Sequence, residues 1–157
     1  MDGHTLVSGN WTEIRFWDLA SGRNVKTLPG AAIRLAISPD GKNLASGSSN
    51  RRIRLQDVVT MKELALLTGH KDEVYDLAFS QDNLLLASAS WDGSVKLWQV
   101  ASGQELLTIP SKSGVVWCVA FSPDDRVLAF GSGSNIKGSG EVTILRTGQD
   151  STKPIAR

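Results

Sequence analysis

A chain of 157 residues with 41% hydrophobic content can bury one core of ordinary domain size or a short array of repeats, and one domain is the expectation. Its 17 basic and 16 acidic residues leave a net charge of +1, too small to point to nucleic acid or an anionic membrane as an obligatory partner. No apolar run approaches the roughly 18 residues of a membrane span, and the polar opening MDGHTLVSGNW lacks the basic and apolar regions of a signal peptide.

Residues 4 to 28 hold a short run, HTLVSG, a turn at Asn10 to Glu13, a run IRFWDL, the turn Ala20-Ser21-Gly22-Arg23 and the run NVKTL. The opening Asp2-Gly3 matches the Asp-Gly of Ser38-Pro39-Asp40-Gly41, so this first unit reads as one without its first strand, and the chain as beginning inside a repeat. Residues 32 to 67 give all four runs: AIRLAI, the turn SPDG, KNLASGS, the turn SNRR, IRLQDV, the turn VTMK and ELALL. The next copy, Gly69 to Trp98, is the clearest. It reads VYDLAF, LLLASAS and SVKLW, separated by Gln-Asp-Asn and Asp-Gly turns, with a fourth run from Gln104 to Ile109. The last copy reads VVWCVAF, SPDD, RVLAFGS, a glycine-rich loop NIKGSG and EVTILR. The tail TGQDSTKPIAR has no apolar run and reads as a frayed terminus. The lone Cys118, inside VVWCVAF, cannot form an internal disulfide; it reads as a buried thiol suited to a reducing compartment, which makes the cytoplasm the expected location. No stretch shows sustained helical periodicity, so the chain reads as all-β.

The Gly69-His70 opening, the Ser-Pro-Asp-Gly type of turn, the run LASAS, Asp92 and Trp98, at these spacings, resemble the WD-repeat β-propeller family. Ser38, Ser80 and Ser122 each open such a turn at a spacing of 42 residues, in the range of four-stranded propeller blades. The resemblance covers nearly the whole chain, in copies at about 1–28, 29–67, 68–109 and 110–146, followed by a polar tail at 147–157. It implies a propeller of four-stranded antiparallel blades, here incomplete, with about four blades of which the first lacks its inner strand and the last its outer one. Each unit would supply the outer strand of one blade and the inner three of the next. Members of this family usually close into a ring of more blades, and an open arc leaves apolar faces in water. The chain is therefore expected to be a fragment of a longer protein, or to associate with a further copy or additional blades that close the ring.

By the same resemblance, His70, Ser88, Asp92 and Trp98 form a supporting hydrogen-bond set, because a buried indole N–H, imidazole and hydroxyl need partners and a carboxylate in a tight turn accepts several bonds. Elsewhere the set decays. Trp17-Asp18 keeps the signature dipeptide, but the turn before it has no aspartate. Asn50 and Gln56 stand at the aspartate and tryptophan positions of the second copy, with Ser46 retained and no histidine. In the fourth, Phe130 replaces the serine and Leu145 the tryptophan, so the polar partners vanish together, a change that can be nearly neutral. Trp91-Asp92 spells the dipeptide but lies in a turn; the equivalent position is Trp98-Gln99.

Ser88, His70 and Asp92 also contain the residue types of a hydrolytic triad. The hub of the family pattern is the aspartate, and Ser88 lies within a strand without a nucleophile elbow, so the chain is expected to be non-enzymatic, with a hydrolase a distant alternative. With two histidines and one cysteine, no metal-ligand spacing is present. The loop GSGSNIKGSG lacks the Lys-Ser/Thr ending of a phosphate-binding loop, so no cofactor is expected. Aligning the copies places Tyr75 with Trp117 near the start of the first strand, and Trp11 with Trp91 in the second-to-third-strand turn. In propellers of this family such positions face one end of the channel, where partners dock. With Glu73, Arg51 and Arg52 they make a candidate hot-spot surface for a protein or peptide, against ordinary blade packing as the alternative. Arg51, Arg52 and Arg54 read as a solvated turn in preference to a phosphate site. The expected function is a non-enzymatic protein-interaction scaffold that binds neither nucleic acid nor membrane; the alternative is a structural or regulatory piece of a larger multidomain protein with no binding activity of its own.

Overall fold

The structure, a computed structural model, describes residues 4–30, 32, 34–47, 49–134 and 140–146. The expectations for Asp2-Gly3, for 135–139 of the glycine-rich loop and for the tail at 147–157 lie outside these residues. Every regular element among the described residues is a strand, in the order β1 (Thr5–Gly9), β2 (Glu13–Asp18), β3 (Arg23–Pro29), β4 (Arg34–Ile37), β5 (Asn43–Gly47), β6 (Arg52–Asp57), β7 (Glu63–Thr68), β8 (Val74–Phe79), β9 (Leu85–Ser90), β10 (Ser94–Gln99), β11 (Glu105–Pro110), β12 (Val115–Phe121), β13 (Val127–Gly133) and β14 (Gly140–Arg146). They form four antiparallel sheets in chain order: β1-β2-β3, β4-β5-β6-β7, β8-β9-β10-β11 and β12-β13-β14. The first and last sheets have three strands and the middle two have four, as the copies imply.

Alternation along each strand gives every sheet two apolar faces, so a sheet can be covered only by sheets on both sides. The forward faces of the second and third sheets, toward the next sheet, carry alanine and aliphatic side chains; the rear faces of the third and fourth add the rings of Phe79, Trp98 and Phe130. Ala45, Ile53, Leu55 and Leu67 of the second sheet meet Val74, Leu77, Phe79, Leu86 and Trp98 of the third. Ala87, Ala89 and Val95 of the third meet Val116, Val119, Leu128 and Phe130 of the fourth. Ile14 and Phe16 of the first meet Leu44 of the second, with Leu35 and Ile37 alongside. Pairing small against large is how facing layers interdigitate without voids. Phe130 and Leu145 join the third-to-fourth contact together, which is the joint apolar replacement expected there.

Cys118 corrects one expectation: it is exposed, not buried. A bulge between Val116 and Cys118 in the β12–β13 ladder sets Cys118 opposite Gly131, on the forward face of the fourth sheet, which no sheet of the described residues covers. The buried-thiol argument for a cytoplasmic location loses its premise.

One end of the array is tied by three copies of one turn. Ser38, Ser80 and Ser122 donate to Asp40, Asp82 and Asp124 and accept from the backbone N–H of Asn43, Leu85 and Val127 at 2.9, 2.9 and 3.0 Å. The fourth residue of each turn is left-handed, with φ of 73° at Gly41, 64° at Asn83 and 56° at Asp125. Glycine, asparagine and aspartate are the residues that tolerate this region. Asn83 and Asp125 use the conformation to reach back one sheet. Asn83 accepts from the N–H of Asp40 at 3.0 Å, and Asp125 from those of Gln81 and Asp82 at 2.8 and 2.9 Å. The inner strands are linked too, Arg34 Nε donating to the Tyr75 carbonyl and Asp76 accepting from the N–H of Val119 at 3.0 Å.

Candidate functional site

Two constellations are built on the third sheet, one buried and one open. The buried one begins at Trp98 on β10, which pairs with Leu86 on β9 and is 2% exposed. Its indole N–H donates to Ser88 Oγ at 2.8 Å, Ser88 Oγ lies 2.7 Å from His70 Nε2, and His70 Nδ1 lies 2.8 Å from Asp92 Oδ2. For a neutral imidazole, a carboxylate that can only accept fixes one proton arrangement. The Nδ1–H of a neutral His70 donates to the carboxylate, the Ser88 hydroxyl donates to Nε2, and the indole donates to Ser88. Asp92 also accepts from the Lys71 N–H at 2.8 Å, the Ser94 N–H at 3.0 Å and the Ser94 hydroxyl at 2.6 Å.

Burial pushes the Asp92 carboxyl up, but the bonds from Ser94, Lys71 and His70 outweigh it and hold the group below its ordinary value. Burial dominates at His70 and pushes the imidazole down against the opposing pull of Asp92, which keeps it neutral. The Asp–His–Ser order and spacing are those of a triad. Ser88 nevertheless has no exposed surface and its oxygen is already the acceptor for Trp98, so a substrate carbonyl has no path to it. What this arrangement does is tie β9, the turn after it, β10 and the segment before β8 into one unit.

The open constellation starts one residue before Asp92. Trp91, in the β9–β10 turn, is fixed by its N–H to the Glu73 carbonyl at 2.9 Å. Tyr75 and Trp117 each occupy the extra residue of a bulge, between Val74 and Asp76 in β8 and between Val116 and Cys118 in β12. A bulge re-aims its extra side chain out of the alternating pattern, and here it brings the two rings to Trp91. Centroid separations are 5.3 Å for Tyr75–Trp91, 5.2 Å for Tyr75–Trp117 and 5.7 Å for Trp91–Trp117, in tilted and edge-to-face orientations. The Arg34 guanidinium lies 5.4 Å from the Tyr75 ring centroid. Packed as they are, Trp91 and Trp117 remain 37% and 38% exposed.

Three of the four aromatics aligned from the sequence thus meet. Trp11 does not join them; it sits on the β1–β2 turn of the first sheet, 67% exposed. Glu73, whose carbonyl accepts from the Trp91 N–H, is half-buried, and Arg51 and Arg52 are exposed, the one in the β5–β6 turn and the other opening β6, at the counterpart of the Trp91 turn in the second sheet. Arg54 pairs with Glu63 at 3.0 Å. Sequence reasoning missed Arg34. Its signal was the register: it stands opposite Gly47 as Asp76 stands opposite Ala89, at the position from which an inner strand reaches the next. Among the described residues, no three His, Cys, Asp or Glu side chains stand together as a metal would need.

The profile of the family described as "WD domain, G-beta repeat" matches residues 22–57, 61–99 and 103–137. Each match begins beside the last strand of one sheet and runs into the next sheet, the offset that the repeat pattern implied. Among curated relatives, the ribosome biogenesis protein WDR12 homolog of Nematostella vectensis is 43% identical over 60 residues, covering 36% of this chain and 14% of that protein. The periodic tryptophan protein 2 homolog of Schizosaccharomyces pombe is 34% identical over 74 residues, 45% of this chain and 9% of that one. The general transcriptional corepressor TUP1 of Saccharomyces cerevisiae is 42% identical over 43 residues, 27% of this chain and 6% of that one. The chain therefore spans a small part of these relatives. Two solved structures, of U3-55K and of the RRP9 WD40 repeats, each superpose with a TM-score of 0.78 at 27% identity, over 92% of this chain and 48% of theirs. With three matched repeats covering most of its length and an all-β array that superposes on solved WD40 repeats, the chain belongs to the WD-domain, G-beta repeat family.

Proposed function

We propose that this chain is a protein-interaction scaffold that docks a protein or peptide on the surface formed by Tyr75, Trp91 and Trp117. The observation that carries the reading is the pair of tryptophans that pack against Tyr75 and yet stay more than one third exposed. Large aromatics held rigid by their neighbours present apolar area at little cost in conformational entropy, and Trp, Tyr and Arg are the residues that dominate binding energy. Arg34, Glu73, Arg51 and Arg52 supply a polar rim of mixed sign. The relatives named above differ in process, ribosome biogenesis for one and transcriptional corepression for another, so the likeness supports a mode of action and leaves the partner to the surface itself.

Affinity capture from the source organism, followed by titration of the recovered partner, tests the reading. Trp91→Ala and Tyr75→Ala are expected to weaken binding at least tenfold with an unchanged circular dichroism spectrum. Undiminished binding by the double variant contradicts it. A folded chain that recovers no partner favours the purely structural alternative.

A further inference from the structure

The register repeats so closely that equivalent positions can be read across all four sheets. On the forward face they are Val7, Gly9, Ile14 and Phe16 in the first sheet, Ala45, Gly47, Ile53 and Leu55 in the second, and Ala87, Ala89, Val95 and Leu97 in the third. The fourth sheet carries the same set in Ala129, Gly131, Val142 and Ile144. On the rear face the equivalent positions are Leu44, Ser46 and Gln56 in the second sheet, Leu86, Ser88 and Trp98 in the third, and Leu128, Phe130 and Leu145 in the fourth. The first sheet carries this set as Leu6, Ser8 and Trp17.

The forward face of the fourth sheet and the rear face of the first, at opposite ends of the array, have no covering sheet among the described residues. Val142, Ile144 and Leu6 are 70%, 52% and 51% exposed, whereas Ile53, Leu55 and Leu86 at equivalent interior positions are at most 1% exposed. The first sheet's rear face duplicates that of the third: Trp17 donates to Ser8 Oγ at 2.8 Å as Trp98 does to Ser88, and Arg15 stands where Lys96 stands. In the interior, Leu86 and Trp98 pack against Ala45, Ile53 and Leu55, while Gly47 beside them faces Val74 and Leu77 of β8. The fourth sheet offers Ala, Gly, Val and Ile at those four positions. One chain therefore carries, on the strands that the terminal sheets share with the interior ones, both halves of the part of that contact made by Ala45, Ile53 and Leu55 against Leu86 and Trp98; the first sheet has no counterpart of β8 and the fourth none of β7.

From this we infer that the open forward face of the fourth sheet binds the open rear face of the first sheet of a second copy, so that two chains close head to tail. The contact is heterologous, and such contacts make a closed assembly when their rotation completes a circle. The arc superposes on about half the length of each of the two solved WD40-repeat chains, so two copies supply the length of one such chain. Closure buries Leu6, Trp17, Val142 and Ile144, an exposed apolar area of the kind that marks an association surface.

Sedimentation equilibrium of the full chain tests this. The wild type is expected as a single species of twice the 16.9 kDa chain mass. Ile144→Arg and Leu6→Arg alter side chains that are exposed in the single chain, so each variant is expected to fold and to sediment as a monomer. Mixing the two leaves one undamaged contact, the rear face of the first variant against the forward face of the second, and is expected to give a one-to-one complex. A monomeric wild type, a wild type larger than a dimer, or dimers that persist in both variants overturns the inference.

Discussion

In the third sheet Trp98, 2% exposed, donates to Ser88 at 2.8 Å, and in the first sheet Trp17 donates to Ser8 at the same distance on a face that no sheet of the described residues covers. The local chemistry is the same. The surroundings are not: Trp98 is covered by Ala45, Ile53 and Leu55, and its Ser88 continues to His70 and Asp92, whereas the first sheet has no covering layer on that side. A hydrogen bond facing water replaces an equivalent bond to water and contributes little, while one shielded by apolar side chains cannot be replaced if it is lost. The comparison teaches that a repeat's signature residues stabilise the fold in proportion to how well the neighbouring sheet covers them.

The largest effect is expected from breaking the covered member. Trp98→Ala should cost about 3 to 5 kcal/mol, whereas Trp17→Ala, measured in an Ile144→Arg background that keeps the first sheet's face open, should cost about 1 kcal/mol or less. Equal urea midpoints for the two would break the comparison. Next comes the hub: Asp92→Ala removes the acceptor of four bonds, two of them from His70 and the Ser94 hydroxyl, and should cost about 3 kcal/mol. Asn50→Ala removes the bond from the exposed Arg52 N–H and should cost under about 1 kcal/mol.

The pH dependence sharpens the same contrast. His70 is held below its ordinary 6.5 in the folded state, so the unfolded chain binds more protons in the window just under that value. The stability this contributes is full above 6.5 and is lost as pH falls through the folded value. Asp92, held below 3.8, adds a second loss at lower pH, present above 3.8 and lost as pH falls through its folded value. His70→Gln should flatten the midpoint-against-pH profile between about 5 and 7; an unchanged slope would show that another group titrates there. A small effect is also expected at the other end of the array, where Asp125→Gly keeps the left-handed turn and removes the two bonds from the Gln81 and Asp82 N–H groups. It should cost about 1 kcal/mol.

Much of this fold was legible because each strand run is bounded by a turn whose chemistry is local. Ser38, Asp40 and Gly41 close their own turn with bonds two to five residues apart, so the same letters at Ser80 and Ser122 mean the same structure. The His70–Ser88–Asp92–Trp98 set was legible through the family resemblance. What could not be read from one strand was how its neighbours shift it. Bulges at Tyr75 and Trp117 depend on the partner strand's register, and they decide that these rings meet Trp91 and that Trp11 stands apart. Cys118 looked buried because its run is apolar throughout, but its exposure follows from which face the fourth sheet leaves uncovered. Arg34 was overlooked because its partner, the Tyr75 carbonyl, lies in another sheet.

Trp91 and Asp92 are neighbours in one turn, and the central claim is that they divide the labour, the tryptophan binding and the aspartate holding the sheet together. The most direct test is the affinity of the captured partner for Trp91→Ala, read together with that variant's urea midpoint. Binding weakened by about 2 kcal/mol or more, at a midpoint equal to that of the wild type, is the predicted result. Wild-type affinity, or a midpoint lowered as far as that of Asp92→Ala, would contradict it.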